Sequence, residues 1–141
     1  MQTMNDIERN FVVDFVPRTK KNSMEIRKRR DGTQFVSPSW KYQRWEADVA
    51  EVLAALNKYR PPINYPVNVR EVFYLPDHRR RDLLNLQEAI DDALVRAGVL
   101  ADDALDIVAG HDGSHALIDR DRPRIVITIT KAEDWQILRE V

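Results

Sequence analysis

Residues 67–98 read VNVREVFYLPDHRRRDLLNLQEAIDDALVRAG, and this pattern predicts a strand, a basic loop and a helix in succession. Alternating apolar residues predict the strand over residues 67–75. One side of this strand carries Val67, Val69, Glu71 and Phe73. Residues 76–81 form the basic loop, and the helix follows over residues 83–97, where Gly98 ends it. Such a unit predicts an α+β fold.

The helix over residues 83–97 has two distinct faces when its residues are spaced at 100°. The predicted buried stripe consists of Leu83, Leu86, Ile90, Ala93, Leu94 and Ala97. A neighbouring polar face carries Asp82, Asn85 and Asp92, with Glu88 at its margin. Asp82 also occupies the position of an N-cap, so an alternative role for this residue is to cap the helix.

The N-terminal part predicts a strand followed by a basic hairpin. Residues 11–16 are β-branched and aromatic, as is typical of a strand. The Asp31-Gly32 dipeptide lies between residues 23–29 and 33–36, and such a dipeptide is typical of tight hairpin turns. We expect this hairpin to present its many basic residues to solvent.

A second long helix is predicted after the hairpin. Ser37 is expected to be its N-cap and Pro38 its first residue, and the apolar periodicity continues to Asn57. Tyr42 and Trp45 lie on the apolar stripe of this helix. Both aromatic rings are therefore predicted to belong to the core, although stacking on nucleic-acid bases is the alternative.

The C-terminal part predicts further strands over residues 107–109, 116–118 and 124–130, and a last helical turn over residues 134–139. The chain shows no internal repeat and no linker. We therefore predict a single α+β domain over residues 1–141, with a mixed β-sheet and two main helices.

Composition narrows the class of protein. The chain has 141 residues, which allow one modest core, and it has no cysteine, so disulfides and thiolate metal sites are excluded. No run of about 18 apolar residues is present, so no membrane association is expected. The first ten residues carry two acids and no apolar stretch, unlike a secretory signal. A cytoplasmic protein is the simplest expectation.

The net charge of −1 conceals two segments of opposite sign. Residues 18–30 contain seven Lys and Arg residues against Glu25 alone. Residues 82–113 contain eight Asp and Glu residues against Arg96 alone. A basic segment of this kind can hold phosphates while an acidic segment binds a divalent cation. The alternative is a pair of solvated faces that partly neutralise each other.

An adjacent acidic pair, Asp102-Asp103, follows the second helix. A loop that returns past the helix would bring Asp103 near Asp82. Carboxylates that converge without Cys or His suit Mg²⁺, although a solvated turn is the alternative. His111 and His115 bracket a predicted turn, so we do not expect them to share a zinc ion.

These residues carry a likeness to a known family. Residues 79–94 read RRRDLLNLQEAIDDAL, and the chain continues with GVLADD at residues 98–103. The sequence resembles the RusA-type Holliday junction resolvases, whose pattern is a basic run, Asp-x-Asp-Asn-x-x-Lys, Asp-Ala-Leu and a later Asp-Asp pair. The loop at residues 17–23 and the segments at residues 112–114 and 121–125 resemble the phage-type branch of that family.

Two positions depart from the family pattern, because Leu84 replaces the second Asp and Glu88 replaces the Lys. The resemblance implies catalytic roles for Asp82 and Asp103. Glu88 is a further catalytic candidate, since its carboxylate would stand in for the one that is lost at Leu84. The resemblance implies Mg²⁺, with Mn²⁺ as the alternative ion. The implied metal ligands are Asp82, Asp102 and Asp103, and the implied supporting residues are Asn85 and Asp92.

The resemblance further implies a RusA-like fold and a homodimeric endonuclease, encoded by a prophage, that resolves four-way (Holliday) junctions in DNA recombination and repair. The predicted DNA-binding residues are Arg18, Lys20, Lys21, Asn22, Arg27, Arg79, Arg80 and Arg81. A rival hypothesis, favoured by Leu84 and Glu88, is a branched-DNA-binding protein that does not cleave. A second rival is a structural protein with solvated charges.

Overall fold

Strand β4 (Val67–Leu75) is central to the sheet because neighbouring strands pair with both of its edges. The structure, a computed structural model, describes residues 7–20 and 24–132. The other elements are β1 (Ile7–Val13), β2 (Met24–Lys28), β3 (Gln34–Pro38), α1 (Trp40–Leu56), α2 (Leu83–Arg96), β5 (Val108–Gly110), β6 (His115–Ile118) and β7 (Arg124–Lys131). The prediction of an α+β fold with a mixed sheet and two main helices is confirmed.

The main sheet has the order β1-β7-β4-β5, and β6 also pairs with β4. β7 runs antiparallel to both β1 and β4, whereas β5 and β6 run parallel to β4. Because β5 pairs with Val67 and Asn68 and β6 pairs with residues 72–75, the edge of β4 between them has no ladder partner among the described residues. This gap is where a turn later in the chain meets the sheet.

One core lies between a face of this sheet and the two helices. The core-facing side chains of β4 include Val67, Val69 and Phe73, as the alternation predicted. Glu71 lies on the same side of β4 and is fully buried. The strand is also partly covered on its other face, where Asn68 and Val72 are buried. A charged residue in the middle of such a strand therefore requires an explanation from the surrounding side chains.

The two helices begin at different kinds of cap. α1 begins after Ser39, whose hydroxyl accepts a hydrogen bond from the backbone N–H of Tyr42 at 3.1 Å. The prediction of Ser37 as cap and Pro38 as first helical residue was wrong, because Pro38 ends β3 opposite Met24 and the hairpin is longer than expected. Asp82 occupies the N-cap position of α2, as predicted.

The apolar stripes of the helices lie largely as predicted. Tyr42 and Trp45 are buried, and the Trp45 indole N–H donates to the carbonyl of Val16 at 2.9 Å. In α2, the predicted stripe is buried from Leu86 to Leu94, whereas Ala97 is half-buried and Leu83 is exposed because the first turn extends beyond the core. The Trp45 hydrogen bond holds the chain just before residues 17–20 against α1.

The N-terminal strand is shorter than predicted, whereas the hairpin is present as predicted. β1 ends at Val13 and not at residue 16, because β7 begins at Arg124 and the last pairing is Val13 with Ile125. The predicted basic hairpin is confirmed as a separate two-stranded sheet. Its turn contains Gly32 at φ 88°, a conformation that suits glycine.

The strands predicted in the C-terminal part are confirmed within a residue or two as β5, β6 and β7. The predicted helical turn over residues 134–139 lies outside the described residues, as does Ser23 at the start of the predicted hairpin. Within residues 7–20 and 24–132, none of the helices has the length and apolar character needed to cross a membrane.

Candidate active site and DNA-binding surface

The carboxylate of Asp82 is available at the start of α2. The backbone of Asp82 is extended and its side chain makes no capping hydrogen bond. Its Oδ2 instead accepts a hydrogen bond from the Asn85 side-chain amide at 3.3 Å. The alternative role for Asp82, in which its side chain caps α2, is therefore wrong. Asp82 is exposed directly after the arginines of the basic loop.

The loop after α2 is anchored at its first residues. Ile63 donates its N–H to the carbonyl of Val99 and accepts from the N–H of Ala101, each at 2.9 Å. Asp102 and Asp103 follow directly and are exposed, and Asp102 Oδ1 accepts from the Asp103 N–H at 2.8 Å. These two hydrogen bonds therefore fix the position on the protein surface from which Asp102 and Asp103 project.

A face of α2 that we call the acidic face carries Glu88 and Asp92. Burial raises the pKa of Asp92, Lys20 opposes this shift, and the carboxylates of Glu46, Glu88 and Asp103 reinforce it. The pKa of the Tyr42 hydroxyl beneath is raised by burial first, and then by Glu46, Asp92 and Glu88. The structure therefore brings Asp103 into the electrostatic neighbourhood of the acidic face, and it brings Lys20 there as well.

The carboxylates of the predicted metal ligands lie farther apart than the ligand atoms of a preformed metal site. Among the residues that the structure describes, Asp82, Asp102 and Asp103 are not part of a group of three ligand atoms within 4.8 Å of one another. Leu84 is 77% exposed and offers no ligand atom. Glu88 lines a shallow pocket together with Lys20, Met24 and Asn85. The catalytic and metal-binding roles of these residues stay predictions.

Two basic segments meet in one cavity of about 340 Å³, which we call the arginine pocket. Its lining residues are Val16, Pro17, Arg18, Thr19, Pro76, Asp77, Arg79, Arg80 and Arg81. Arg81 is paired with Asp77 at 2.8 Å and is only 15% exposed, so it holds the loop in shape. Arg79 lies 3.7 Å from the same carboxylate but is well exposed. The pocket has the charge and the donors that phosphate groups require.

The other predicted DNA-binding residues are Lys20, Lys21, Asn22 and Arg27. Arg27 lies on β2, where it is exposed and paired with Glu25 at 2.8 Å. Lys21 and Asn22 lie outside the described residues. Lys20 adjoins the arginine pocket along the chain and also lines the pocket of Glu88. The loop of residues 18–20 therefore leads from the arginine pocket to the acidic face.

A third group of residues was not predicted as a site. Glu71, Asp91 and His111 bring their ligand atoms within 4.8 Å of one another. Burial raises the pKa of Glu71 well above its ordinary value, and the neighbouring carboxylate of Asp91 raises it further. The signal available in the sequence was Glu71 itself, an acid on the core-facing side of a predicted strand. His115 does not join the group, since its Nδ1 lies 2.9 Å from the carbonyl of Gly113.

An arginine-lined pocket beside an acidic helix face, on a mixed sheet, is typical of a nucleic-acid-binding protein with a carboxylate site. The chain belongs to the RusA family, because the family model described as Endodeoxyribonuclease RusA matches residues 14–130. The match covers most of the chain, so the resemblance noted in the sequence is confirmed.

Curated relatives support the same family. The crossover junction endodeoxyribonucleases RusA of Escherichia coli (strain K12) and of Shigella sonnei (strain Ss046) are each 56% identical over 39 residues. The crossover junction endodeoxyribonuclease rusA of Enterobacteria phage 82 has the same identity over the same length. Each alignment covers 28% of this chain and 32% of the relative, so the chain spans about a third of the length of the relatives it matches.

Proposed function

We propose that this protein is a metal-dependent endodeoxyribonuclease that recognises and cuts four-way DNA junctions. Membership in the RusA family supports the reaction class. The observation that carries the proposal is Asp82, which occupies a helix cap without capping and lies directly after the three arginines of the basic loop. A carboxylate left available in this way, beside phosphate-binding groups, suits catalysis at a phosphodiester.

The available donors fit Mg²⁺, for which Mn²⁺ would be an alternative. Asp82, Asp102 and Asp103 offer exposed carboxylate oxygens, the ligand type that hard cations prefer. Burial raises the pKa of Asp92, and the carboxylates of Glu46, Glu88 and Asp103 raise it further, so several negative groups lie near one another on this side of α2. When bound, such an ion would polarise the scissile phosphate and lower the pKa of a bound water. In this proposal Asp82 and Asp103 hold the ion, while Asn85 orients Asp82 through its amide.

The arginine pocket supplies the proposed DNA contacts. Arg18, Arg79 and Arg80 would hold the phosphates on either side of the cleaved bond, and Arg81 would support the loop through Asp77. Lys20 would lead the backbone toward the acidic face, where its positive charge offsets the repulsion between carboxylates and phosphates. Contacts of this kind set affinity and position but not sequence preference.

We propose a homodimer as the working form, within which residues 1–141 form a single endonuclease domain. A four-way junction has approximate two-fold symmetry, and two matching cuts require two sites. The hairpin offers apolar surface to a second copy, because Ile26 and Val36 are opposite each other and both are exposed. Recombination and repair of prophage DNA in the cytoplasm is the process we assign to this activity.

A cleavage assay on synthetic DNA tests the proposal. The full chain is incubated with a four-way junction or with a linear duplex of the same sequences, with Mg²⁺ or with a chelator. We expect cuts in the junction only, and only with Mg²⁺. Tight junction binding without cleavage would contradict the enzyme proposal and favour the second candidate, a branched-DNA-binding protein. The exposed Leu84, at a position where the family pattern has an acid, is the observation that favours this second candidate.

A further inference from the structure

Three residues far apart in the chain meet beneath α2 and form what we call the buried triad. Glu71 lies in the middle of β4, Asp91 lies on α2, and His111 directly follows β5. His111 Nε2 lies 2.7 Å from Asp91 Oδ2 and 3.6 Å from Glu71 Oε1. One nitrogen and two carboxylate oxygens thus surround a common point.

Three of the four carboxylate oxygens in the buried triad accept no hydrogen bond from the described residues. Glu71 is 0% exposed, and neither of its oxygens accepts a hydrogen bond from any described residue. Asp91 is also buried, and its Oδ1 has no such partner either. Among these carboxylate oxygens, the Nε2 atom of His111 is within hydrogen-bond distance of Asp91 Oδ2 only. Two buried carboxylates that face each other require a positive charge or a proton between them.

The turn that carries His111 is clamped to the open edge of β4, between β5 and β6. Asn68 accepts from the Asp112 N–H at 2.7 Å and donates to the Asp112 carbonyl at 3.1 Å. The Glu71 N–H donates to Ser114 Oγ at 2.9 Å, where a neighbouring strand would otherwise accept. Gly113 has φ 84°, and a Cβ there would lie 3.0 Å from the Arg70 side chain. These contacts hold the imidazole against the two carboxylates.

We propose that Glu71, Asp91 and His111 bind one divalent transition-metal ion of the Zn²⁺ type, at a site separate from the Mg²⁺ site proposed around Asp82. An imidazole nitrogen with two carboxylate oxygens is a ligand set that Zn²⁺ and similar ions accept, whereas Mg²⁺ prefers oxygen ligands alone. The His111 side chain is 27% exposed, so the buried triad meets the solvent on its His111 side.

The consequence for the fold is a cross-link between β4, α2 and the turn that follows β5. α2 also carries Asn85, Glu88 and Asp92 and begins directly after Asp82. An ion in the buried triad therefore fixes the position of the helix on which the proposed active site depends. The role is structural, because the triad lies on the core side of α2, away from the arginine pocket.

The experiment uses the full chain after treatment with a chelator. Zn²⁺, Mn²⁺ or Mg²⁺ is added alone, and the metal bound per chain and the Tm are measured. We expect one Zn²⁺ per chain and a higher Tm, whereas Mg²⁺ at the same concentration should not raise the Tm, because its proposed site lies among exposed carboxylates. Failure of Zn²⁺ to bind to the folded chain would overturn the proposal and identify the triad as a carboxyl pair that shares a proton.

Matched variants locate the ion. His111→Gln should weaken Zn²⁺ binding by at least about 100-fold, since loss of a ligand costs at least as much as loss of its supporting residues. The control, His115→Gln, removes an exposed imidazole four residues later and should bind Zn²⁺ as tightly as the unaltered chain does. Equal binding by both variants would overturn the site. If His111→Gln does not fold, NMR of the three imidazoles in the unaltered chain decides, because Zn²⁺ should shift the His111 signals and leave those of His78 and His115 in place.

The test separates this site from the proposed function. Asp82→Asn should leave Zn²⁺ binding unchanged, because Asp82 is not part of the triad. Loss of junction cleavage in that variant with Zn²⁺ bound as before supports both proposals independently. Loss of Zn²⁺ binding in Asp82→Asn would overturn the separation of the two sites.

Discussion

Asp91 and Asp92 are adjacent in the chain, yet they belong to two acidic regions that differ in almost every physical respect. Asp91 points into the buried triad, where ligand atoms lie within 4.8 Å of one another. Asp92 belongs to the acidic face, where Asp103, Glu88 and Lys20 influence its pKa. One region is compact and largely closed to solvent, and the other is spread over the surface.

The comparison shows that burial determines how closely carboxylate side chains are held together before any ion binds. In the buried triad, packing by β4, α2 and the turn after β5 holds the side chains together despite their repulsion. On the acidic face, water screens the like charges, and the oxygens stay apart until a cation and a phosphate arrive. A site that must admit DNA has to remain open, whereas a site that only stabilises a helix can be closed.

The largest expected effect is loss of cleavage at the exposed site. Asp82→Asn and Asp103→Asn each remove a charge while nearly keeping the shape, so junction cleavage should fall roughly 100-fold or more as metal-based stabilisation is lost. Junction binding should persist or tighten because repulsion of phosphates is relieved. The measurement is single-turnover cleavage with binding measured separately.

The control for these variants is Asp106→Asn, which changes an exposed acid in the same part of the chain. It should cleave as the unaltered chain does. Full cleavage activity of Asp82→Asn would contradict the assignment of the exposed carboxylates as the active site. The contrast between a catalytic exposed site and a structural buried site would then no longer hold.

The second prediction concerns the stability of the buried region. Glu71 is a buried carboxyl group whose oxygens accept no hydrogen bond from the described residues, so Glu71→Met removes an unsatisfied polar group and should raise the free energy of unfolding of the chelated protein by about 1–3 kcal/mol. With Zn²⁺ present the order should reverse, because only the unaltered chain gains binding energy. Urea unfolding with and without Zn²⁺ measures both values. A loss of stability in both conditions would show that Glu71 contributes without any ion.

The third prediction tests the arginine pocket. Arg18→Gln, Arg79→Gln and Arg80→Gln combined should weaken junction binding. The slope of log affinity against log salt should also fall by about 0.9 for each phosphate that the protein no longer neutralises. Lys58→Gln, at the exposed end of α1, serves as the control and should leave the slope unchanged. An unaltered slope in the triple variant would exclude the pocket as the phosphate-binding surface.

The smallest expected effect concerns Glu88. If its carboxylate replaces the acid missing at Leu84, Glu88→Gln should slow cleavage a few-fold, which corresponds to roughly 1 kcal/mol of barrier. Leu84→Asp should then restore the rate of the Glu88→Gln chain at little cost in stability, because Leu84 is 77% exposed. Cleavage rates of the single and double variants measure this coupling. Independent effects of the two changes would show that Glu88 is not the substitute.

Local patterns in the sequence were sufficient for most elements. The strand over residues 67–75 was predicted with the bounds that β4 has, and α2 within one residue of its end, because alternation and helical periodicity are properties of neighbouring residues. The family motif placed Asp82 and Asp103 as candidates. The cap of α1 was predicted two residues early, since Ser37, Pro38 and Ser39 all suit a helix start and only the pairing of Pro38 with Met24 decides among them.

Which acidic side chains lie next to one another depends on the packing of the folded chain. Glu71, Asp91 and His111 are separated by twenty residues at each step, and no local pattern connects them. They converge because β5 and β6 leave a gap along β4, and the turn between these strands fills it with His111 facing Glu71 beneath α2. The helices, the strands and the acidic motif follow from interactions between near neighbours in the chain. The buried triad follows from the packing of distant segments, because only the folded sheet and α2 bring its three side chains together.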